Sequence, residues 1–405
     1  MSDAIVYGMM RASHSMRSFD LPGRINRKRY AMKHNPIPAW TYTRQYQKDK
    51  RRMLAAVDRV FRSGRVILGS EVDSFEKAFA AWCHRRYGIG VGSGTDALFL
   101  SLKALGVGPG DHVITVPNTA IPTVSAIVAT GATPVFVDCT RDTLLMDPGK
   151  IEQAITKRTR VILPVHLNGQ CADMDQICAI AKKHRIPILE DCAQASGATW
   201  RGKPAGSFGR VAAFSFYPTK PLGAYGDGGM VVTNDAKLAN AVRSLRMYGT
   251  HGGRYYAYVS GYNSRLDAVQ AAILRFKLKT FSSSLNTRVR LATTYLKRLQ
   301  NTPITLPVTH KHASPAWYLF VCRHPRRNAL IRYLNQHGIL LSTHTYPVQT
   351  PIHRMRAYRF LGYKRGDFPV AERVAREVFA LPLYPGLTRE EQHRVITAVL
   401  AFFGT

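Results

Sequence analysis

The stretch Tyr87-Gly88-Ile89-Gly90-Val91-Gly92-Ser93-Gly94-Thr95-Asp96-Ala97-Leu98 changes character in its middle, and the residues after it, up to Leu105, keep the new character. Tyr87–Val91 is a short apolar run, which reads as a buried strand. From Thr95 to Leu105 the apolar residues Leu98, Leu102 and Leu105 recur at helical spacing. Glycines at 92 and 94 punctuate the change. A strand that turns through glycines into a helix is half of a βαβ unit, and the pattern repeats outward. Strands are predicted at Val113–Val116, Pro134–Val137, Val161–Val165, Pro187–Leu189, Val211–Phe214 and Met230–Thr233. Helices are predicted at Thr119–Ala129, Ile151–Ile155, Met174–His184 and Ala236–Tyr248. This alternation builds an α/β domain with a mostly parallel sheet covered on both faces. Ligands of such sheets bind beyond the carboxyl ends of the strands.

The informative residues lie there. Gly92-Ser93-Gly94-Thr95 opens a helix, where backbone N–H groups and hydroxyls suit a phosphate, although Thr95 could simply cap the helix. Glu190-Asp191-Cys192-Ala193-Gln194 closes a strand. A buried acid there needs a cation; a protonated ring nitrogen, a metal or a helix N-terminus would each serve. Lys220 sits in Ser215-Phe216-Tyr217-Pro218-Thr219-Lys220-Pro221-Leu222-Gly223, followed by Gly226-Asp227-Gly228-Gly229. An ammonium among aromatic and small residues loses solvation and yields its free amine more readily, as a Schiff-base lysine requires; the competing reading is a lysine that snorkels to water. Asn263, in Gly261-Tyr262-Asn263-Ser264-Arg265, stands before a helix and either donates to a phosphate or caps. Ser264-Arg265-Leu266-Asp267 has the form of a capping box for that helix.

Together these segments resemble the DegT/DnrJ/EryC1/StrS family of sugar aminotransferases. The resemblance runs from about Ile37 to the C-terminus. It is carried by Ile67-Leu68-Gly69-Ser70-Glu71-Val72, Ser93–Leu98, Pro164-Val165-His166-Leu167, Glu190–Gln194, Ser215–Gly229 and Asn263–Asp267. It implies the aspartate-aminotransferase-like architecture (fold type I), with pyridoxal 5'-phosphate as cofactor. By the same resemblance Lys220 bonds to the cofactor aldehyde and then shuttles a proton, and Asp191 pairs with the ring nitrogen. Gln194 contacts the ring hydroxyl, and Ala193 packs on one ring face. Gly94, Thr95 and Ser215 bind the phosphate. Asn263 reaches the cofactor of a second subunit, which implies a homodimer with a shared active site. The implied reaction moves an amino group from glutamate to C3 or C4 of a nucleotide-diphosphate keto-sugar, for amino-sugar biosynthesis, and the Lys220 segment looks more like the 3-keto branch. Dehydratases of the family carry histidine in place of the lysine, so Lys220 argues against dehydration. The chain departs from the family pattern at Ala120, where an aromatic usually follows Asn118-Thr119, and at Asn168, where tyrosine is frequent. The stretch Thr345–His353 fits only loosely.

Composition bounds the rest. The chain of 405 residues suggests two domains, read as a large cofactor-binding domain over 37–280 and a smaller α+β domain over 281–405. The smaller one is expected to hold a long basic helix from about 281, a strand near Trp317–Cys322, and helices at Asn328–His337, Val370–Phe379 and Arg389–Phe403. Residues 1–36 are basic and lack apolar periodicity, so they read as a flexible extension, or as residues preceding a natural start at Met32. The net charge of +32 is spread along the chain, without the clustering of a nucleic-acid reader. It fits an anionic substrate and leaves a regulatory or nucleic-acid-binding relative as the alternative of a different class. The six cysteines form no Cys-x-x-Cys pair, and no apolar run approaches ~18 residues, so a cytoplasmic protein with reduced thiols and no membrane span is expected.

Overall fold

A computed structural model describes residues 35–252, 255–341 and 350–404. The basic extension lies outside these residues apart from Asn35 and Pro36, and so does most of the loosely fitting stretch before Thr350. Two helices that the sequence reading omitted come first, α1 (Thr43–Arg62) and α2 (Ser70–Trp82). The alternating region then forms β1 (Tyr87–Val91), α3 (Gly94–Ala104), β2 (His112–Thr115), α4 (Ile121–Ala129), β3 (Thr133–Phe136), β4 (Thr159–Ile162), α5 (Met174–His184), β5 (Leu189–Asp191), β6 (Val211–Ser215), β7 (Gly229–Thr233) and α6 (Ala236–Leu245). Helix α7 (Ala268–Lys279) follows, then α8 (Phe281–Leu299), β8 (Phe320–Arg323), α9 (Arg327–Gln336), α10 (Pro369–Glu377), β9 (Val378–Leu381) and α11 (Arg389–Phe403).

The sheet runs β3-β2-β4-β5-β6-β7-β1, with β4 and β5 joined through the parallel bridges Ile162 to Ile188 and Val165 to Asp191. All of its pairings are parallel except those of β7, which runs antiparallel to both β6 and β1. The reason is local. A parallel return needs a crossover of a dozen or more residues, usually a helix. The segment between β6 and β7 is instead taken up by the loop that carries Lys220. The strands are apolar on both faces because helices cover both, and their buried side chains form the main core with Phe75, Phe79, Leu98, Ile127, Ile177 and Leu274.

A second core gathers Leu291, Tyr295, Phe320, Leu330, Phe379 and Val395 from the C-terminal elements. Ile37 belongs to it as well, and Ile37–Pro38 pairs in parallel with Ile339–Leu340, so the described chain starts on this smaller core before entering the larger one. Residues Val378 and Phe379, expected to end a helix, instead form β9 against β8, where β-branched and aromatic side chains pack better. Helix α11 starts as its sequence predicts: Thr388 and Glu391 complete a capping box. All six cysteines are free thiols.

Candidate active site

The turn between β1 and α3 forms the floor of a cup. Ser93, and not Thr95, is the N-cap: its Oγ accepts from the Asp96 N–H at 3.1 Å. Thr95 sits in the first turn, half-buried, with its hydroxyl outside the cap. The Asp96 carboxylate accepts from Ser264 Oγ at 2.9 Å, and Ser264 Oγ accepts from the Gly92 N–H at 3.0 Å. Ser264 therefore locks the turn from behind and does not build the capping box expected of it. Helix α7 starts at Ala268, and its N-cap Asp267 makes no side-chain cap. The local capping rule loses here to a tertiary partner.

Gly94 lies against the end of β6. A Cβ on Gly94 would sit 2.6 Å from Ser215 Cβ, closer than real atoms approach. Only glycine lets the helix N-terminus come this near to Ser215, which is buried. Backbone N–H groups at the start of α3 and the Ser215 hydroxyl thus share one small space, with the positive end of the helix dipole facing it.

The neighbouring acids on β5 do different work, because successive strand residues face opposite ways. Glu190, fully buried, accepts from Phe208 N and Gly209 N on Oε1, and from Gly206 N and His166 Nε2 on Oε2, at 2.6–2.9 Å. Burial opposes its charge, yet His166 and these N–H groups hold its carboxyl below the usual range. His166, Glu190 and Cys192 place ligand-type atoms within 4.8 Å of one another, but His166 Nδ1 accepts from Ala172 N at 3.0 Å while Nε2–H serves Glu190. Both ring nitrogens are committed, so the cluster is a hydrogen-bonded lock on the 206–209 loop and not a metal centre.

Asp191 is the acid that faces the site. It is buried, with Oδ2 accepting from Thr123 Oγ1 at 2.8 Å and Oδ1 from Ala193 N at 3.0 Å. Burial pushes its carboxyl up, and the Ala193 N–H, the Thr123 hydroxyl and the Lys220 charge pull it back. A carboxylate so held gains from a cation placed beside it.

Lys220 is half-buried, and its Nζ lies 4.7 Å over the Tyr318 ring. Tyr318 reaches this point from the C-terminal part of the chain; its hydroxyl bonds Thr219 Oγ1 at 3.0 Å. The backbone there is supported by Arg288, a buried guanidinium that donates to the carbonyls of Trp317 and Leu383. Gln194 is buried, with its Oε1 accepting from Asn168 N at 2.7 Å, which leaves its amide NH2 to donate to a ligand oxygen. Ala193 is half-buried beside Asp191. Asn263 is exposed, next to the buried Ser264 that braces the cup. At the departure noted in sequence, Ala120 is the N-cap residue of α4, the helix that brings Thr123 to Asp191.

A buried acid, a lysine whose charge reaches it, and a cup with N–H and hydroxyl donors suit a phosphorylated aldehyde with a basic ring nitrogen. The donor set fits pyridoxal phosphate. Thr123 and Tyr318 were missed in sequence because nothing local marks them, and Ser264 was read as a helix cap; each takes its place through tertiary packing.

The fold is that of the pyridoxal-phosphate aminotransferases. The chain belongs to the DegT/DnrJ/EryC1/StrS aminotransferase family, whose pattern matches residues 47–400. It is 48% identical over 346 residues, 85% of this chain and 90% of the other, to a dTDP-3-amino-3,4,6-trideoxy-alpha-D-glucose transaminase of Streptomyces venezuelae. It is 42% identical to a Geobacillus stearothermophilus protein named as a pleiotropic regulatory protein, across 91% of this chain and 98% of that one. Its structure resembles that of S. venezuelae DesV in complex with a ketimine intermediate, with TM-score 0.89 and 45% identity, covering 92% of this chain and all of that one. Other solved relatives carry the cofactor in its pyridoxal or pyridoxamine form.

Proposed function

We propose that this protein is a pyridoxal-phosphate aminotransferase that moves an amino group from glutamate to a nucleotide-diphosphate 3-keto-sugar in amino-sugar biosynthesis. The observation that carries this is the buried Asp191 carboxylate within electrostatic reach of Lys220, beside the Gly94–Ser215 cup. Relatives named as 3-amino-sugar transaminases at 44–48% identity support the choice of the 3-keto branch.

Bound pyridoxal phosphate supplies an aldehyde that takes up the amino group and a ring that accepts electrons. In this reading Gly94, Thr95 and Ser215 hold its phosphate. Asp191, fixed by Thr123 and the Ala193 N–H, keeps the ring nitrogen protonated. The Gln194 amide donates to the ring hydroxyl, and Ala193 lies against one face of the ring. Lys220 carries the proton between the two carbons that exchange it, resting over Tyr318 between transfers. The basic surface draws in the anionic nucleotide sugar.

The unit we infer is a homodimer with an active site shared through Asn263. Support comes from the exposure of Asn263 and of the aromatic stretch before it, where Tyr255 is fully exposed and Tyr256 and Tyr258 are more than half so. The division at about residue 280 belongs to the same proposal and is supported by the two separate cores. Among the described residues no helix is long and apolar enough to cross a membrane; the cytoplasmic site of action belongs to the same proposal and is supported by the six free thiols.

Borohydride reduction in the presence of pyridoxal phosphate, followed by peptide mass spectrometry, tests the assignment. The cofactor mass is expected on the peptide holding Lys220. A label on another lysine, or none, overturns it.

A further inference from the structure

Helix α7 touches the site at more than one place. Its lead-in residue Ser264 braces the cup. Further along, Gln270 Oε1 accepts from Tyr225 N at 3.0 Å, and Lys277 Nζ donates to Gly223 O at 2.5 Å while lying 4.1 Å over the Tyr225 ring. Gln270 and Lys277 are about two helical turns apart and so share one face. The loop they grip is the one that carries Lys220. It closes tightly on itself: Lys220 N donates to Tyr217 O at 2.9 Å and Ala224 N to Phe216 O at 2.7 Å. A Cβ on Gly223 would stand 2.5 Å from Pro218 O, so the two limbs of the loop have no slack between them.

Lys277 is also a costly residue to keep where it is. It lines a pocket with Lys220, Arg288, Tyr225, Tyr42 and Asp49, and its hydrogen-bond acceptor is a carbonyl. Burial pushes its ammonium down to about 8, opposed by Asp49. A methionine would fill the same space without the desolvation cost. The lysine's distinguishing feature is its hold on the Gly223 carbonyl.

We infer that Lys277 is a positioning residue for Lys220: with Gln270 it fixes the returning limb of the 217–225 loop, so that the Lys220 amine occupies one place between Asp191 and Tyr318. This rests on the reading of Lys220 as the lysine that bonds the cofactor. A lysine that leaves and returns in every turnover, moving a proton between two carbons, must come back to the same place. Misplacement by about 1 Å costs on the order of 10²-fold in rate.

The test uses the full chain with pyridoxal phosphate. Lys277→Met removes the donor, and Lys277→Arg keeps a cationic donor. Lys277→Met is expected to bind the cofactor within a few-fold of the wild type, yet to form the visible absorbance of the lysine-bound cofactor about tenfold more slowly. Its kcat should fall roughly 10–100-fold with KM for the sugar within about twofold, and Lys277→Arg should recover most of both losses. Wild-type kcat and wild-type band formation in Lys277→Met overturn the inference. So does an equal loss in both variants that tracks their melting temperatures, since that marks packing alone. Where Lys277→Met does not fold, Gln270→Met removes the other half of the clasp and is read in the same way. A wild-type chain that shows no Lys220-dependent band overturns the proposed function and this inference together; a normal wild-type band unaltered by Lys277→Met overturns the inference alone.

Discussion

Gly94→Ala puts one methyl group at the tightest point of the cup. The added Cβ would lie 2.6 Å from Ser215 Cβ and 3.1 Å from both Ser215 Cα and Ser215 Oγ. Ordinary contact begins near 3.4 Å, so the helix N-terminus and the strand end must separate by close to 1 Å. Neither side yields easily. Ser215 ends a strand paired on both edges, and Ser93 and Asp96 are tied to Ser264. Overpacking of this kind costs about 1–3 kcal/mol in stability. The larger effect falls on the phosphate. The N–H groups of α3 and the Ser215 hydroxyl no longer converge on one point, and losing one or two charge-assisted hydrogen bonds at about 1.5–3 kcal/mol each weakens cofactor binding by roughly 10- to 10⁴-fold. Titration of the apo-protein with pyridoxal phosphate, followed by its visible absorbance, measures this directly, with a thermal melt alongside. A Gly94→Ala protein that binds the cofactor as the wild type does would refute the placement of the phosphate in this cup.

Other expected outcomes are as follows. Asp191→Asn removes the charge facing the ring nitrogen; a close ion pair at an effective dielectric of 20 is worth about 4 kcal/mol, so the glutamate half-reaction should slow by about 10³-fold while the fold persists, and a loss below tenfold contradicts the role. Glu190→Gln turns an amide NH2 toward at least one pair of donors now served by a carboxylate oxygen, and should lower stability by about 3–5 kcal/mol in urea unfolding; a change under about 1 kcal/mol counts against the lock. Burial pushes the Lys277 ammonium down to about 8 in the folded chain, from its ordinary value of 10.5. Between these values the unfolded chain holds a proton that the folded one has released, so stability rises with pH across this window by up to about 3 kcal/mol. Urea unfolding at both ends of the window should show this rise in the wild type and lose it in Lys277→Met; an equal rise in both chains contradicts the assignment.

Much of this was legible in the sequence, for reasons visible in particular residues. Met174–His184 and Arg389–Phe403 match their predicted bounds because Asp173 and Thr388 are true caps. Lys220, Asp191 and Gly94 could be singled out because each lies in a short contiguous motif at the end of a strand. Helix α1 escaped notice because only Met53, Ala56 and Val60 of its residues are buried, and charged side chains blur that narrow stripe. Periodicity finds a strand at β7 but does not give its direction, which the helix-free Lys220 loop decides. Thr123 is one turn into a helix with nothing nearby to mark it, and Tyr318 and Lys277 meet the Lys220 loop only after the chain has returned from far along its length. Ser264 looked like a cap because its neighbours fit a capping pattern, and the Gly92 N–H and Asp96 that claimed it are invisible to any local rule.

The central claim is that Lys220 and Asp191 serve amination of a nucleotide sugar, and nitrogen bookkeeping tests it most directly. The holoenzyme is incubated with ¹⁵N-glutamate and nucleotide-diphosphate 3-keto-sugars, and the sugar is weighed by mass spectrometry. The account predicts a product in which the ketone oxygen is replaced by one labelled nitrogen, absent in Lys220→Ala. A product that has lost water and gained no nitrogen, or label incorporation that survives Lys220→Ala, would contradict it.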